Sequence, residues 1–145
     1  MAASLQNNYS YIIIPMLKKI ATHPQYIFLF DSIGAFTTAL LLFSIGFIFP
    51  TLFGLPQYIH FVLAAIALLF CLFSYSCFYR QPVNWKPYLK AIMLANVLYC
   101  VLTAVLIFSF RSSISLWGIL YFGGELIVIL SLVYFEYMVL TKRTS

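Results

Sequence analysis

Four long apolar stretches, separated by short segments that break helices, most constrain what this chain can fold into. They cover residues 26–49, 58–79, 88–110 and 114–140. At a rise of about 1.5 Å per residue, each stretch is long enough as a helix to cross an apolar membrane core of about 30 Å. A spanning segment must satisfy its own backbone hydrogen bonds, so each stretch is predicted to be a transmembrane helix.

The composition and the connections support this interpretation. Hydrophobic residues make up 64% of the 145 positions and charged residues only 8%, against about 25% charged residues in a soluble domain. Proline and glycine break the chain at 50–56, proline breaks it at 82–87, and only residues 111–113 separate the last two stretches. Short connections make consecutive helices antiparallel neighbours. The predicted fold class is therefore an all-α membrane protein with an antiparallel four-helix transmembrane bundle at 26–140.

The positive charges predict the orientation of the bundle. Seven of the eight Lys and Arg residues lie before the first stretch, around the connection between the second and third, or after the fourth, whereas Arg111 alone lies on the other side. Positive residues are enriched on the cytoplasmic side, so both termini are expected in the cytoplasm. Residues 1–25 would then form a cytoplasmic or interfacial arm, and 141–145 a cytoplasmic tail. The net charge of +5 reflects this topology. The expected partner is the lipid bilayer, and the charge gives no reason to expect binding to nucleic acid.

All three carboxylates of the chain, Asp31, Glu125 and Glu136, lie inside the apolar stretches. An ionisable side chain at mid-membrane depth costs about 2.5–3.5 kcal/mol to insert, so it is expected to face the protein interior and to have a function. No Lys, Arg or His lies close to Glu125 in depth, so this carboxyl is expected to be protonated and to donate a hydrogen bond. Glu136 lies within two turns of Lys142 and Arg143, which favours an interfacial ion pair.

Counting along the helices places the polar side chains in two layers. The central layer would hold Asn96 and Tyr99 together with the carboxyl at position 125, and the inner layer would hold Asp31 and Glu136 with Lys90 beside them. The candidate residues for ligand binding or proton relay are Asp31, Asn96, Tyr99, Tyr121 and Glu125.

Small residues at helical spacing predict close packing between helices. The second stretch carries such a stripe at Ala64, Ala67, Cys71 and Ser74. Gly123 and Gly124 precede the central glutamate and are also expected to form a helix contact. In lipid, small residues let two helix backbones approach each other. Packing is therefore the expected role of these positions.

No catalytic or metal-binding pattern is present in the sequence. Cys71 and Cys77 would lie about 9 Å apart along one helix, so they cannot form a disulfide with each other. His23 and His60 fall at opposite membrane faces and cannot ligate one metal or haem. We therefore expect no enzyme activity, no cofactor and no metal. A membrane enzyme acting on lipid is the least favoured alternative, because a lone interior carboxylate has no visible nucleophile or metal partner.

Six short runs of residues, spread along the chain, together form a pattern. They are Phe28-x-x-Asp31-Ser-Ile-Gly34-Ala35, Phe53-Gly54-x-Pro56, Tyr75-Ser76-Cys77, Asn84-Trp85-x-Pro87-Tyr88-Leu89, Ala95-Asn96-x-x-Tyr99-Cys100 and Gly118-x-x-Tyr121-Phe122-x-x-Glu125. Over about residues 20–140 this pattern resembles small bacterial four-span integral membrane proteins with no assigned activity. The resemblance implies a bundle in the bacterial inner membrane and adds no reaction, substrate or cofactor.

Two functions remain open at this point. The first is a noncatalytic membrane protein whose bundle, alone or as a homo-oligomer, binds a small or lipidic ligand or serves as an assembly partner for another membrane protein. The second is a proton-linked small transporter or channel, in which Glu125 titrates and Asp31 relays protons on the cytoplasmic side. Four helices make a thin wall for an aqueous path, so the second function is expected to need a homo-oligomer.

Overall fold

The computed structural model describes Pro15 and residues 23–142. The helices after Pro15 are α1 (Gln25–Ile48), α2 (Gln57–Arg80), α3 (Lys86–Ser109) and α4 (Leu116–Lys142). Each begins and ends within two residues of a predicted span, and the described residues contain no strand. Most of the predicted arm at 1–25 and residues 143–145 of the predicted tail lie outside the described part of the chain.

Local sequence signals explain where the helices begin and end. Pro24 precedes α1 and Pro56 precedes α2, where a missing backbone N–H costs nothing. α2 ends at Gln81, which adopts the left-handed conformation with φ of 46°. Ser115 caps α4, because the backbone N–H of Gly118 donates to its Oγ at 3.1 Å. These signals fix the ends of helices whose lengths are set by the apolar stretches.

The four helices pair as two antiparallel hairpins. α1 and α2 make the most extensive contact, followed by α3 and α4. Asp31 contacts Ser74 near one end of the first hairpin, and the Gln57 side chain donates to the carbonyl of Gly46 at 3.0 Å near the other. A Cβ added at Gly46 would lie 2.8 Å from the Cβ of His60, so glycine is what allows α1 and α2 to approach there.

The connection between α1 and α2 folds over the start of α4. Phe53 is buried and its carbonyl accepts a hydrogen bond of 2.9 Å from the backbone N–H of Ser115. Gly54 has a φ of 70°, and a Cβ there would lie 2.0 Å from the backbone oxygen of Ser113. Only glycine fits this position, for conformational and steric reasons together. The loop therefore joins the two hairpins at this end of the bundle.

The outer surface of the helices is strongly apolar. Large hydrophobic side chains such as Phe47, Leu116 and Val128 are about two-thirds exposed or more, at 70%, 70% and 67%. All four helices are long and apolar enough to cross a membrane. Together these features show an all-helical bundle with four candidate membrane spans, as expected of a multi-pass membrane protein.

Gly123 and Gly124 do not make the helix contact that their position before Glu125 predicts. A Cβ added at either glycine meets no other atom within 4 Å. The close approaches in this chain lie instead at Gly46, against α2, and at Gly118, where a Cβ would lie 2.8 Å from the carbonyl oxygen of Phe53. Helix α4 is also sparsely buried, since only Gly118, Phe122 and Glu136 are buried along it in the described residues.

Candidate functional site

Asp31 lies where three helices meet. Its side chain on α1 is 2% exposed and both carboxyl oxygens have partners. Ser74 of α2 donates from Oγ to Oδ2, and Asn96 of α3 donates from Nδ2 to Oδ1 at 2.8 Å. Both partners are neutral and buried. A small-residue stripe brings α2 close to α1, so that the stripe's serine reaches the carboxyl.

A second polar contact lies one residue further along α1. Ser32 and Cys71 are buried, and Ser32 Oγ lies 3.5 Å from Cys71 Sγ, where either atom could donate. The thiol is one turn from Ser74 on the same face of α2. Cys71 therefore makes one polar contact between α1 and α2 while it lies in the buried core.

Glu125 forms a separate polar pair with Tyr99. The Tyr99 hydroxyl on α3 donates to Oε1 of Glu125 on α4 at 3.2 Å, and Tyr99 is buried. The other carboxyl oxygen, Oε2, is buried and has no hydrogen-bond partner. Thr38 of α1 lies near enough to interact with this carboxyl. The pair of Tyr99 and Glu125 therefore faces α1 at Thr38, which lies two turns along the helix from Asp31.

Tyr121 closes the other side of the Glu125 pair. Its half-buried ring lies 5.0 Å from the ring of Phe53 and 5.2 Å from that of Phe122, between ring centroids. Tyr121 also interacts electrostatically with Glu125, which follows one turn later on α4. Tyr121 therefore lies between the Glu125 carboxyl and Phe53 of the connection between α1 and α2.

Glu136 is buried inside the bundle. The side chain is 0% exposed, and neither carboxyl oxygen has a hydrogen-bond partner. It lies close enough to Asp31 to interact with it electrostatically. The side chains of its predicted partners, Lys142 and Arg143, lie outside the described part of the chain, so the ion pair stays a prediction. In the described residues, Glu136 is a buried carboxyl beside the Asp31 site.

The two predicted polar layers are rearranged in the structure. Asn96 was expected beside Glu125, but its amide binds Asp31. The depths of about 12 and 16 Å that helix counting gives for positions 96 and 99 differ by less than one turn, so side-chain direction decides which carboxyl each residue reaches. Lys90, expected beside Asp31, is exposed. The inner group therefore consists of Asp31, Asn96 and Glu136, and the central group of Tyr99 and Glu125.

A cavity of about 60 Å³ lies between these two groups. All four helices line it, with Asp31 and Thr38 on α1, Phe70 on α2, Asn96 and Tyr99 on α3, and only apolar side chains on α4. Gly34 also lines the cavity and is exposed, so the cavity reaches the surface beside α1. Since a water molecule needs about 10–15 Å³ of such volume, the cavity has room for a few water-sized particles.

Two further buried polar residues were not singled out as site residues from the sequence. His60 on α2 is fully buried, both ring nitrogens lack hydrogen-bond partners, and its ring lies 5.6 Å from that of Phe53. Thr103 on α3 is buried and its hydroxyl is also unpaired, although it lies one turn from Tyr99. No group of three or more His, Cys, Asp or Glu side chains in the described residues could hold a metal ion.

Comparison of the chain with models of protein families, with curated proteins and with solved structures found no match in any of the three.

Proposed function

We propose that this chain is a noncatalytic multi-pass protein of the bacterial inner membrane, with both termini in the cytoplasm, whose bundle binds a small polar ligand in the Asp31 cavity. The observation that carries this proposal is the placement of Asp31, Thr38, Asn96 and Tyr99 around one cavity lined by all four helices. A mostly apolar pocket with a few convergent polar groups is the usual design of a small-molecule site.

The size of the cavity limits what the interior can bind. A volume of about 60 Å³ has room for an ion or a very small molecule but not for a lipid chain. A lipidic ligand fits better on the outside, where an apolar groove of about 380 Å³ runs between α1 and α2. The residues that line this groove are Phe36, Ala39, Leu40, Phe43, Phe61, Ala64, Ala65 and Leu68. An acyl chain of the surrounding bilayer would fit in such a groove.

The proposal is tested by measuring the Tm of the protein in lipid nanodiscs with and without each of a panel of small solutes. The panel holds NaCl, LiCl, KCl, methylammonium chloride and urea, with choline chloride keeping the ionic strength constant. A ligand at 100 times its Kd stabilises the folded state by about 2.7 kcal/mol, so at least one solute should raise Tm by several degrees. The shift should vanish in Asp31→Asn and persist in Thr37→Val, an exposed position on the same helix. No shift with any solute overturns the proposal.

A proton-linked transporter or channel is the second candidate, favoured by the arrangement of three carboxyls along the bundle. Glu125 and Glu136 are 11 residues apart on α4, which is about 16 Å along the helix. Asp31 lies near Glu136, and the cavity extends from Asp31 to Thr38, which lies near Glu125. Carboxyl groups and room for water along one line are what a proton relay requires.

The second candidate is tested by proton flux into proteoliposomes that carry an internal pH dye, driven by a potassium diffusion potential. Transport predicts a flux above that of empty vesicles, lost in Glu125→Gln and in Asp31→Asn, with Thr37→Val unchanged. A wild-type rate equal to that of empty vesicles removes this candidate.

Assembly with a second copy or with another membrane protein remains part of the proposal. α4 buries three residues in the described part of the chain, against six in α3, seven in α1 and eight in α2. The mass of the protein released from native membrane patches gives the number of chains in each assembly directly. A single chain in every patch contradicts assembly.

A further inference from the structure

We infer that the Asp31 cavity binds a small alkali-metal cation, Na⁺ or Li⁺, in exchange for a proton. This inference rests on the proposed ligand-binding function and names the chemistry of the ligand. It is carried by four features of the site: an enclosed carboxyl with neutral partners, hydrogen bonds that suit two charge states, an unpaired second carboxyl nearby, and a cavity of matching size.

The first feature is a buried carboxyl that is held only by neutral groups. Asp31 is 2% exposed, and its partners are the Ser74 hydroxyl and the Asn96 amide. A bare carboxylate in a low-dielectric interior is strongly unfavourable unless a positive charge or a proton accompanies it. The lysine expected near this depth, Lys90, is exposed. No cationic side chain in the described part of the chain bonds to Asp31, so its positive partner is a proton or a cation that enters the cavity.

The second feature is that the hydrogen bonds of Asp31 suit both forms of the carboxyl. The Asn96 amide donates to Oδ1 whether Asp31 is charged or neutral. Ser74 Oγ donates to Oδ2 of the carboxylate, and the same hydroxyl oxygen accepts when Oδ2 carries a proton. The link between α1, α2 and α3 is thus kept when a cation replaces the proton.

The third feature is Glu136, a fully buried carboxyl with two unpaired oxygens that interacts electrostatically with Asp31. Two neighbouring buried carboxyls carry at most one negative charge between them, because a second anion would add both repulsion and desolvation. In the described residues, the titratable groups near Asp31 are Tyr99 on α3, which lines the same cavity, Glu136 on α4, and Cys71 on α2, which contacts the neighbouring Ser32. Thiol, phenol and the second acid are all neutral when protonated, so the site holds one negative charge and matches a monovalent cation.

The fourth feature is the size and lining of the cavity. A volume of about 60 Å³ accommodates one small cation with a few waters, at about 10–15 Å³ for each water-sized particle. The lining residues with oxygen-bearing side chains are Asp31, Thr38, Asn96 and Tyr99. Hard cations prefer oxygen ligands of this kind. Quaternary ammonium ions are too large to enter.

The exchange balances without any further reactant. The protonated Asp31 carboxyl and a cation give the carboxylate with its bound cation and one released proton. The O–H bond is the only covalent bond broken, and the proton leaves to water. Proton and cation therefore compete for one carboxyl.

The test uses the full chain in lipid nanodiscs, in weak buffer with a pH dye, to which NaCl or LiCl is added. We expect release of up to one proton per chain with either salt, and none with choline chloride at equal ionic strength. Across the pH range in which Asp31 is protonated, the half-saturating concentration should rise about tenfold for each unit of pH decrease, as one-for-one competition requires. Asp31→Asn should abolish release, whereas Thr37→Val should behave as wild type.

Two further variants keep the test decisive if Asp31→Asn does not fold. Ala35→Leu keeps every ionisable group and adds volume at a cavity-lining position, so it should weaken cation binding at least tenfold. Glu136→Gln should retain proton release, because Asp31 is the exchanging group. Release that is lost only in Glu136→Gln, or that survives in Ala35→Leu, overturns the assignment.

Failure of this inference is distinguishable from failure of the proposed function. If methylammonium still raises Tm through Asp31 while Na⁺ and Li⁺ release no proton, the cation exchange is wrong and ligand binding stands. If no solute of the panel binds, both are wrong.

Discussion

Asn96 on α3 donates a hydrogen bond of 2.8 Å to Asp31 on α1, and the two residues are 65 positions apart in the chain. Each belongs to a different hairpin. The two hairpins make few direct contacts compared with those inside each hairpin. The bond is therefore one of the main links between them, in addition to its place in the candidate site.

Replacing Asn96 by leucine should destabilise the bundle. The change leaves Oδ1 of Asp31 buried without its donor, which costs about 1–3 kcal/mol in proteins. The free energy of unfolding in bicelles, compared between wild type and Asn96→Leu, measures the loss. Ser76→Ala is the matched control, because Ser76 is exposed and bonds only its own helix, so it should stay within about 0.5 kcal/mol. An Asn96→Leu protein as stable as the wild type would contradict the link.

The hydroxyl of Tyr99 should matter separately from its ring. Tyr99→Phe removes the 3.2 Å bond to Glu125 and keeps the packing against Phe70, so a loss of about 0.5–1.5 kcal/mol is expected. The double variant with Glu125→Gln should lose less than the sum of the two single changes, because the side chains are directly bonded. Additive losses in the same unfolding assay would show that the pair does not interact.

Two glycines should respond to alanine in opposite directions. Gly54→Ala places a Cβ 2.0 Å from the backbone oxygen of Ser113 at a φ of 70°, so it should destabilise the loop by at least about 2 kcal/mol. Gly124→Ala meets nothing within 4 Å and should stabilise α4 by about 0.5–1 kcal/mol. A destabilised Gly124→Ala protein would reveal a neighbour at that face, such as a second copy. Thermal unfolding in nanodiscs compares the two.

The predicted orientation is tested with single cysteines introduced into a variant that lacks Cys71, Cys77 and Cys100. An impermeant maleimide should label Asn84→Cys only in inside-out vesicles and Ser112→Cys only in intact cells, since the positive charges predict that the loop of 81–85 is cytoplasmic. Both positions are exposed. The reverse labelling pattern would mean that both termini lie outside.

Much of the fold could be predicted from the sequence because apolar length and helix-breaking residues act locally. The run before Pro50 and the single short turn at 111–113 each fix a helix end without reference to the rest of the chain. Asp31 and Glu125 could be predicted as interior residues for a similar reason, because charge in an apolar stretch is costly wherever the helix packs.

The pairing of these residues could not be predicted because it depends on helix rotation and tilt. Ser74 was placed in a packing stripe, and only the close approach of α2 to α1 brings its hydroxyl to Asp31. The burial of Glu136 could not be predicted either, because it depends on the rotation of α4, which turns the carboxyl inward. His60 gave no signal at all, since its burial follows from Gly46 on a different helix.

The most direct test of ligand binding at Asp31 is isotope-edited infrared spectroscopy of the carboxyl groups in the reconstituted protein. Aspartate labelled with ¹³C separates the single Asp31 from both glutamates, and Asp31→Asn confirms the band. We predict that the protonated carbonyl band of Asp31 disappears when NaCl is added at constant pH, while the bands of Glu125 and Glu136 remain. An Asp31 band that does not respond to any solute in the panel would contradict a ligand site at this carboxyl.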